Sequence, residues 1–384
     1  MNDALKRTPL FESHQKLKAR IVEFGGWEMP VQYTGIIEEH TAVREAAGLF
    51  DISHMGEFFI EGEGAAAFLN HAVSNDVSVL KPGQGQYAHL LQEDGGTVDD
   101  LYLYKVADTR WLLIVNASRI SEDWQHFQDL HTKWTGPKAR LTNQSDFMSG
   151  LALQGPTSST FVDALFTGDA IAGASVKKPS ELNKNEFAAF AFSGGDEIWV
   201  SRTGYTGEDG FEFFCNNEDA VALWDATLAA GADSGLIPCG LGARDILRTE
   251  VCYPLYGHEL SNEISPLEAG LGFFVALDKD DAFVGQQALI DNRAAGLKRR
   301  VVAFRMTGKS APPREQYPVW STGDDAQQIG HVTSGTRSPS LKEGVGMALL
   351  VKEFAKKETA IEVEIRGRRF PAQVVSKPLY RKPA

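Results

Sequence analysis

Apolar and polar positions along the chain change period again and again, and each change predicts an element. In EEHTAVREAAGLF (38–50) the residues Ala42, Val43, Ala46 and Ala47 fall at helical spacing, which predicts a helix. GEFFIEGEG (56–64) predicts a strand running into a turn, and AAAFLNHAVS (65–74) a helix. QYAHLLQEDGGTVDDLYLYKV (86–106) sets two alternating runs around Asp-Gly-Gly, the pattern of a hairpin. WLLIVN (111–116) predicts a third strand and SEDWQHFQDLHTKW (121–134) a helix opened by Ser-Glu-Asp. EIWVSRTGYTGEDGFEFFCN (197–216) predicts two strands around a glycine-rich turn. DAVALWDATLAAG (219–231) predicts a helix with an Asp start and a Gly stop, and LGARDILRTE (241–250) a short helix entered from Cys239-Gly240.

Beyond about residue 295 the pattern becomes short strand runs broken by Gly, Pro and Ser: KRRVVAFRM, QIGHVTSGTRSPSL, GVGMALL, AIEVEIRGRRFPAQVV. This predicts an all-β domain of the barrel or sandwich kind, with QQALIDNRAAGLK (286–298) as the linker. No repeat of 20–50 residues is visible, so a solenoid is excluded. The fold class is α+β followed by all-β.

Composition narrows the function classes. Against 38 Lys and Arg stand 51 Asp and Glu, a net charge of −13, which argues against nucleic acid and anionic membrane as partners. Three cysteines without CxxC spacing exclude a disulfide scaffold and weaken a zinc reading; no metal is expected. No run of about 18 apolar residues and no apolar leader is present, so a cytoplasmic protein is the expectation.

The chain shows no P-loop, nucleophile elbow or HExxH. Gly25-Gly26, Gly95-Gly96 and Gly194-Gly195 read as turns, and the nine histidines are scattered without metal-ligand spacing. Three features carry possible chemistry. In TVDDLYLY, strand alternation puts Asp99 on one face with Leu101 and Leu103, and Asp100 on the other with Tyr102 and Tyr104. A carboxylate on an apolar face is costly unless paired or used, although an acid serving the adjacent turn is an equally ordinary reading. In TGYTGEDG (203–210), Gly204, Gly207 and Gly210 space Tyr205, Glu208 and Asp209, so backbone can approach a flat ligand while a carboxylate takes its amino edge; exposed turn acids are the alternative. In GLGARDILRTE (240–250), Arg244 and Arg248 share a helical face, for an anion or for an ion pair.

Nine segments taken together resemble the glycine cleavage T-protein family of aminomethyltransferases. They are FGGWEMPVQY (24–33), EEHTAVREAAGLFDISHMGE (38–57), GGTVDDLYLY (95–104), LALQGP (151–156), RTGYTGEDGFE (202–212), CGLGARDILRTE (239–250), LYGHEL with ISPLEAGLG (255–272), VGQQAL (284–289) and TSGTRSPSL (333–341). The resemblance runs from about residue 8 to the C-terminus, in the family's order and spacing.

The resemblance implies a three-domain cloverleaf. An antiparallel β/α first domain (1–55 with 145–200) is interleaved with a ferredoxin-like second (56–144 with 201–285), and a jelly-roll-like barrel follows (286–384). It implies transfer of a one-carbon unit from the aminomethyl-lipoyl arm of an H-protein to tetrahydrofolate, giving 5,10-methylenetetrahydrofolate and ammonia. Tetrahydrofolate is a substrate in that reaction, and a monomer is expected. By the same resemblance Asp99 is the key carboxylate beside the folate nitrogens, Glu208 holds the pterin edge, Arg244 contacts the ligand, Tyr87 and Asn116 line its pocket, and Tyr205 stacks or packs. At Tyr380-Arg381-Lys382-Pro383-Ala384 an expected aromatic contact has no match.

A related iron–sulfur-linked folate group carries Lys-Gly-Cys-Tyr-x-Gly-Gln-Glu; here position 254, where its cysteine would stand, is Pro254. Two alternatives remain at this point: a tetrahydrofolate-dependent demethylase of a small methylamine or sulfonium donor, and a folate-binding regulatory module without turnover. For docking an acidic carrier protein, Arg293, Lys298, Arg299 and Arg300 form the candidate basic patch.

Overall fold

The computed structural model describes residues 5–192 and 197–382; the turn expected at Gly194-Gly195 lies outside them. The chain divides into two compact units. Unit 1 takes Met1–Ala72, Asp76–Ala88 and Leu101–Arg244, and unit 2 takes Val73–Asn75, His89–Asp100 and Asp245–Ala384.

In chain order the first elements are α1 (Phe11–Lys16), the hairpin β1 (Arg20–Phe24) and β2 (Trp27–Gln32), α2 (Ile36–Glu45), β3 (Ala47–Asp51), β4 (Gly56–Glu61) and α3 (Ala65–Ala72). Then come β5 (Gln84–Leu91), β6 (Thr97–Ala107), β7 (Arg110–Val115), α4 (Ile120–Lys133), β8 (Arg140–Asn143), β9 (Met148–Gln154) and α5 (Ser158–Phe161). β10 (Phe166–Gly173), β11 (Phe187–Phe192), β12 (Glu197–Ser201), β13 (Gly210–Asn216), α6 (Ala220–Gly231), β14 (Leu236–Pro238) and α7 (Leu241–Glu250) follow.

Two sheets organise these elements. A seven-stranded sheet has the order β10-β11-β12-β13-β9-β3-β14, antiparallel except where β14 joins β3 in parallel. Its inward residues Leu49, Leu151, Leu153, Phe190, Phe211 and Phe213 close on Trp224 of α6 in one apolar core. A five-stranded sheet has the order β5-β6-β7-β4-β8, with Phe58 of β4 packing edge-on against Trp124 and Phe127 of α4. The alternation in WLLIVN and TVDDLYLY is what lets one face of each strand bury while the other packs across its neighbours.

In unit 2, α8 (Gln286–Ala295) precedes a closed barrel of β15 (Arg299–Met306), β16 (Pro318–Ser321), β17 (Gln328–Arg337), β18 (Gly344–Val351), β19 (Ala360–Ile365) and β20 (Arg368–Val375). Phe304, Val332, Leu350 and Val363 fill it, and closure leaves no free edge. The expected all-β C-terminal domain is thus a six-stranded barrel.

Two local expectations change and one holds. The helix expected over 38–50 ends at Glu45, and 47–51 is strand β3, buried at all five positions. The cause is tertiary: a Cβ on Gly48 would stand 2.5 Å from Val43 and 2.6 Å from Cys239 Sγ, so glycine admits β14 beside β3. Helix α6 ends at Gly231 as expected, and a short turn over Ala232–Ser234 follows it to Gly235, which has φ +77°. The expected linker 286–298 holds α8, whose Leu289 is fully buried with Leu91, Val275 and Phe283. Among the described residues no helix is long and apolar enough to cross a membrane.

Candidate functional site

In unit 2 the residues just before Asp99 are tightly fixed. Gly95 has φ +88°, and a Cβ on Gly96 would lie 2.0 Å from the Asn262 carbonyl oxygen. Asp94, two residues earlier, accepts the bond from Gly96 N at 3.0 Å. Thr97 N then donates to Ser261 O (2.9 Å), and Thr97 Oγ1 to Ile264 O (2.7 Å). Two residues on, Asp99 is fully buried, on the side of β6 that also buries Leu101 and Leu103. The strand alternation therefore predicted its face.

In unit 1 the turn 203–210 is laced onto one buried glutamine. Gln154 Nε2 donates to Thr203 O (3.1 Å), and its Oε1 accepts from Thr206 Oγ1 (2.9 Å). A Cβ on Gly204 would meet that amide at 1.9 Å, so the glycine lets the turn close on it. Both acids of the motif are engaged. Arg44 Nη1 donates to Glu208 Oε1 (2.9 Å) and Thr206 O (2.7 Å), with the Glu208 side chain fully enclosed. Arg202 holds Asp209 through two bonds of 2.9 and 2.7 Å.

Arg244, on α7, lies with its guanidinium carbon 4.8 Å from the centre of the Tyr205 ring. Its Nη1 is enclosed and has no hydrogen-bond partner. Its charge partners are Glu212 and Tyr205, and burial lowers its affinity for the proton against their pull. Glu212 of β13 accepts from Thr203 Oγ1 at 2.5 Å; Thr203 in turn shares a 2.6 Å bond with Ser201, and Tyr104 OH donates to Ser201 at 3.1 Å. Burial raises the Glu212 carboxyl above its ordinary range, opposed by the Thr203 bond and the Arg244 charge.

The structure thus brings Tyr205 and Arg244 together and adds Glu212, which the sequence reading missed. Its signal was present in GFEFFC (210–215), where Glu212 is the one charged residue in an apolar strand. Glu208 is placed with Arg44 instead. Tyr87 sits half-buried on β5, and Asn116 follows β7, heading a short turn without a side-chain cap bond. Arg248 in unit 2 takes the ion-pair alternative: it bonds Glu259 (3.0 Å) and Asp245 (2.7 Å) and is 2% exposed.

An arginine poised over a tyrosine ring, with an enclosed donor left open and a carboxylate beside it, is suited to a flat heterocycle with carbonyl and amino edges. Comparison with known proteins identifies the family. Residues 10–279 match the family described as GCVT N-terminal domain, and residues 299–381 the glycine cleavage T-protein C-terminal barrel domain. An aminomethyltransferase of Geobacillus sp. (strain WCH70) is 47% identical over 378 residues, 98% of this chain and 99% of the relative. One from Anoxybacillus flavithermus is 46% identical over 98% and 99% of the two chains. The crystal structure of glycine cleavage system aminomethyltransferase T from Bartonella henselae superposes with a TM-score of 0.87 at 32% identity, covering 98% of this chain and 99% of that one.

Proposed function

The chain belongs to the glycine cleavage T-protein family and is an aminomethyltransferase; from that premise we propose how its own residues serve the reaction. The donor is the aminomethyl group on the lipoyl arm of an H-protein, and the acceptor is tetrahydrofolate. The methylene carbon exchanges its bonds to sulfur and to the amino nitrogen for bonds to two folate nitrogens. The two protons shed by those nitrogens leave on the dihydrolipoyl thiol and on ammonia. The carbon keeps its oxidation state, so the step is a transfer and not a redox event. The demethylase and the non-catalytic folate module are not favoured beside relatives named aminomethyltransferase over nearly their full length.

In this reading Asp99 orients the attacking amine and stabilises the cationic iminium as ammonia departs, which a buried carboxylate does better than a solvated one. Tyr205 and Arg244 hold the pterin, with Tyr87 and Asn116 lining the pocket. Glu212, the charge partner of Arg244, takes the amino edge, while Glu208 pairs its Oε1 with Arg44. The observation that carries this is the enclosed, open Nη1 of Arg244 beside Tyr205 and Glu212. Ammonia release and 5,10-methylenetetrahydrofolate formation from tetrahydrofolate and aminomethylated H-protein test it, with Asp99→Asn alongside. Turnover that falls by orders of magnitude in the variant supports the role. Folate binding without turnover in the wild type sinks the mechanism, and no folate binding sinks the site.

For the carrier, we propose a docking surface at the start of the barrel. Residues 299–384 carry 16 Lys and Arg against 8 Asp and Glu, while the 298 residues before them carry a net −21. Arg293, Lys298 and Arg300 are exposed there, and Lys352 N bonds Lys298 O at 2.9 Å; Arg299 is partly used by Glu268 at 3.0 Å. Charge reversal at Lys298 and Arg300 raises the KM for H-protein and leaves folate binding alone; unchanged kinetics removes the patch. A cytoplasmic, monomeric protein completes the reading.

A further inference from the structure

The loop between β3 and β4 carries a histidine that the reaction scheme above does not use. His54 is 3% exposed. Its Nδ1 is enclosed and has no hydrogen-bond partner. Its ring meets Phe24 edge-on, with centroids 5.7 Å apart. Two charged groups reach it electrostatically: the Asp51 carboxylate at the end of its own strand, and Arg244.

Asp51 is fully committed elsewhere. It accepts from Thr8 Oγ1 (2.7 Å) and Ser53 N (2.8 Å) and pairs with His14 Nε2 (2.8 Å), whose other ring nitrogen bonds Tyr33 OH (2.9 Å). This buried network fixes the start of the loop and leaves the Nδ1 of His54 without a partner among the described residues. A ring nitrogen buried without a partner forfeits the hydrogen bond it would make in water, and a bound molecule restores it.

Arg244 supplies the second half of the picture. Its Nη1 is also enclosed and open. Two unsatisfied nitrogens on different elements, within electrostatic reach of each other and one of them over the Tyr205 ring, are best satisfied by one bound molecule. We propose that His54 is a ligand-facing residue of the folate site, its Nδ1 sharing with Arg244 Nη1 the polar edge of one bound heterocycle. The proposal rests on the reading of Arg244 as a folate contact.

The chemistry sets the class of edge. Burial and Arg244 hold His54 neutral by pushing its pKa down to about 4, and Glu212 offsets the arginine. The pair therefore presents little net positive charge. A neutral lactam edge fits it, with the carbonyl accepting from Arg244 and the neighbouring N–H donating to the imidazole. A phosphate or sulfate fits less well, because a neutral imidazole brings no charge to meet the anion. His54 is in this sense a specificity residue: it disfavours anions of similar size.

The test uses full-length protein labelled with 15N in its histidine rings. Tetrahydrofolate is titrated at pH 7, in wild type, Arg244→Lys and His54→Gln. The His54 signals, identified by their loss in His54→Gln, are expected to report a neutral ring. The Nδ1 resonance is expected to move on folate addition, toward the shift of a nitrogen that accepts a hydrogen bond. His54→Gln is expected to weaken tetrahydrofolate by about tenfold or more, with inorganic phosphate gaining as an inhibitor. Undiminished folate affinity in Arg244→Lys overturns the site reading itself. Weakened affinity there, with an unmoved His54 resonance in the wild type, overturns the role of His54 alone. The wild-type titration, with all nine histidines followed, keeps that outcome readable even where His54→Gln does not fold.

Discussion

Glu57 offers a measurement of what burial alone does to a carboxyl group in this fold. It lies on β4 opposite Ile114 of β7, with its backbone N–H bonded to Ser145 Oγ (3.0 Å) and its carbonyl to Gln144 N (2.9 Å). Both carboxyl oxygens are enclosed and unpartnered, and burial pushes the group well above its ordinary value of 4.5. The unfolded chain ionises it above pH 4.5 while the fold keeps it protonated, so the folded state binds the extra proton. The stability contribution is therefore complete below pH 4.5 and is lost as pH rises toward the folded-state pKa. The loss is about 1.4 kcal/mol per pH unit.

Glu57→Gln removes the titration and keeps the shape. The unpartnered amide adds a constant penalty of roughly 1–3 kcal/mol at every pH. Reversible urea unfolding at pH 5, 6 and 7 separates the two effects. The wild-type stability minus that of Glu57→Gln should fall as pH rises through this range, by at most about 1.4 kcal/mol per unit. Parallel curves would refute the reasoning, because they would mean that the folded state ionises Glu57 as easily as water does.

Two further expectations follow from contacts in the site. Glu212→Gln should raise the KM for tetrahydrofolate tenfold or more. Glu208→Gln should leave that KM near wild type while costing about 3–5 kcal/mol of stability, because it removes the carboxylate charge that pairs with the buried Arg44; steady-state kinetics with thermal unfolding distinguishes them. Gly96→Ala forces the turn off the Asn262 carbonyl and should lower turnover together with stability, whereas Gly308→Ala, whose Cβ meets nothing closer than 3.7 Å, should stay within about 0.5 kcal/mol of wild type. Equal effects of the two alanines would show that the turn tolerates movement.

Much of the fold could be read along the chain because period carries it: the hairpin at 86–106, the strand at 111–116 and five of the six barrel strands announce themselves by apolar runs and turn residues, whereas the four-residue β16 does not. What could not be read depends on partners distant in sequence. Gly48 looks like a weak spot in a helix until Cys239 is found against it. α8 carries a single fully buried apolar residue, Leu289, too little amphipathicity to mark it off from a linker. The site divides in the same way. The face of Asp99 follows from strand alternation, whereas the engagement of Glu208 with Arg44, across 164 positions, has no local signature. His54 is also invisible locally, since being buried without a partner is a property of the packed molecule.

The discontinuity of unit 2 has a consequence on the ribosome. Residues 89–100, including Asp99 and the Gly95–Thr97 turn, rest on Ser261, Asn262 and Ile264, which are made more than 150 residues later. At about 5–20 residues per second, that segment waits roughly 10–30 s for its partners. Throughout that interval the nascent chain displays Leu90, Leu91 and Val98 uncovered by their own unit, a stretch that a holdase chaperone would recognise. Synonymous recoding that slows translation between 100 and 264 should therefore lower soluble yield, with no change in the amino-acid sequence.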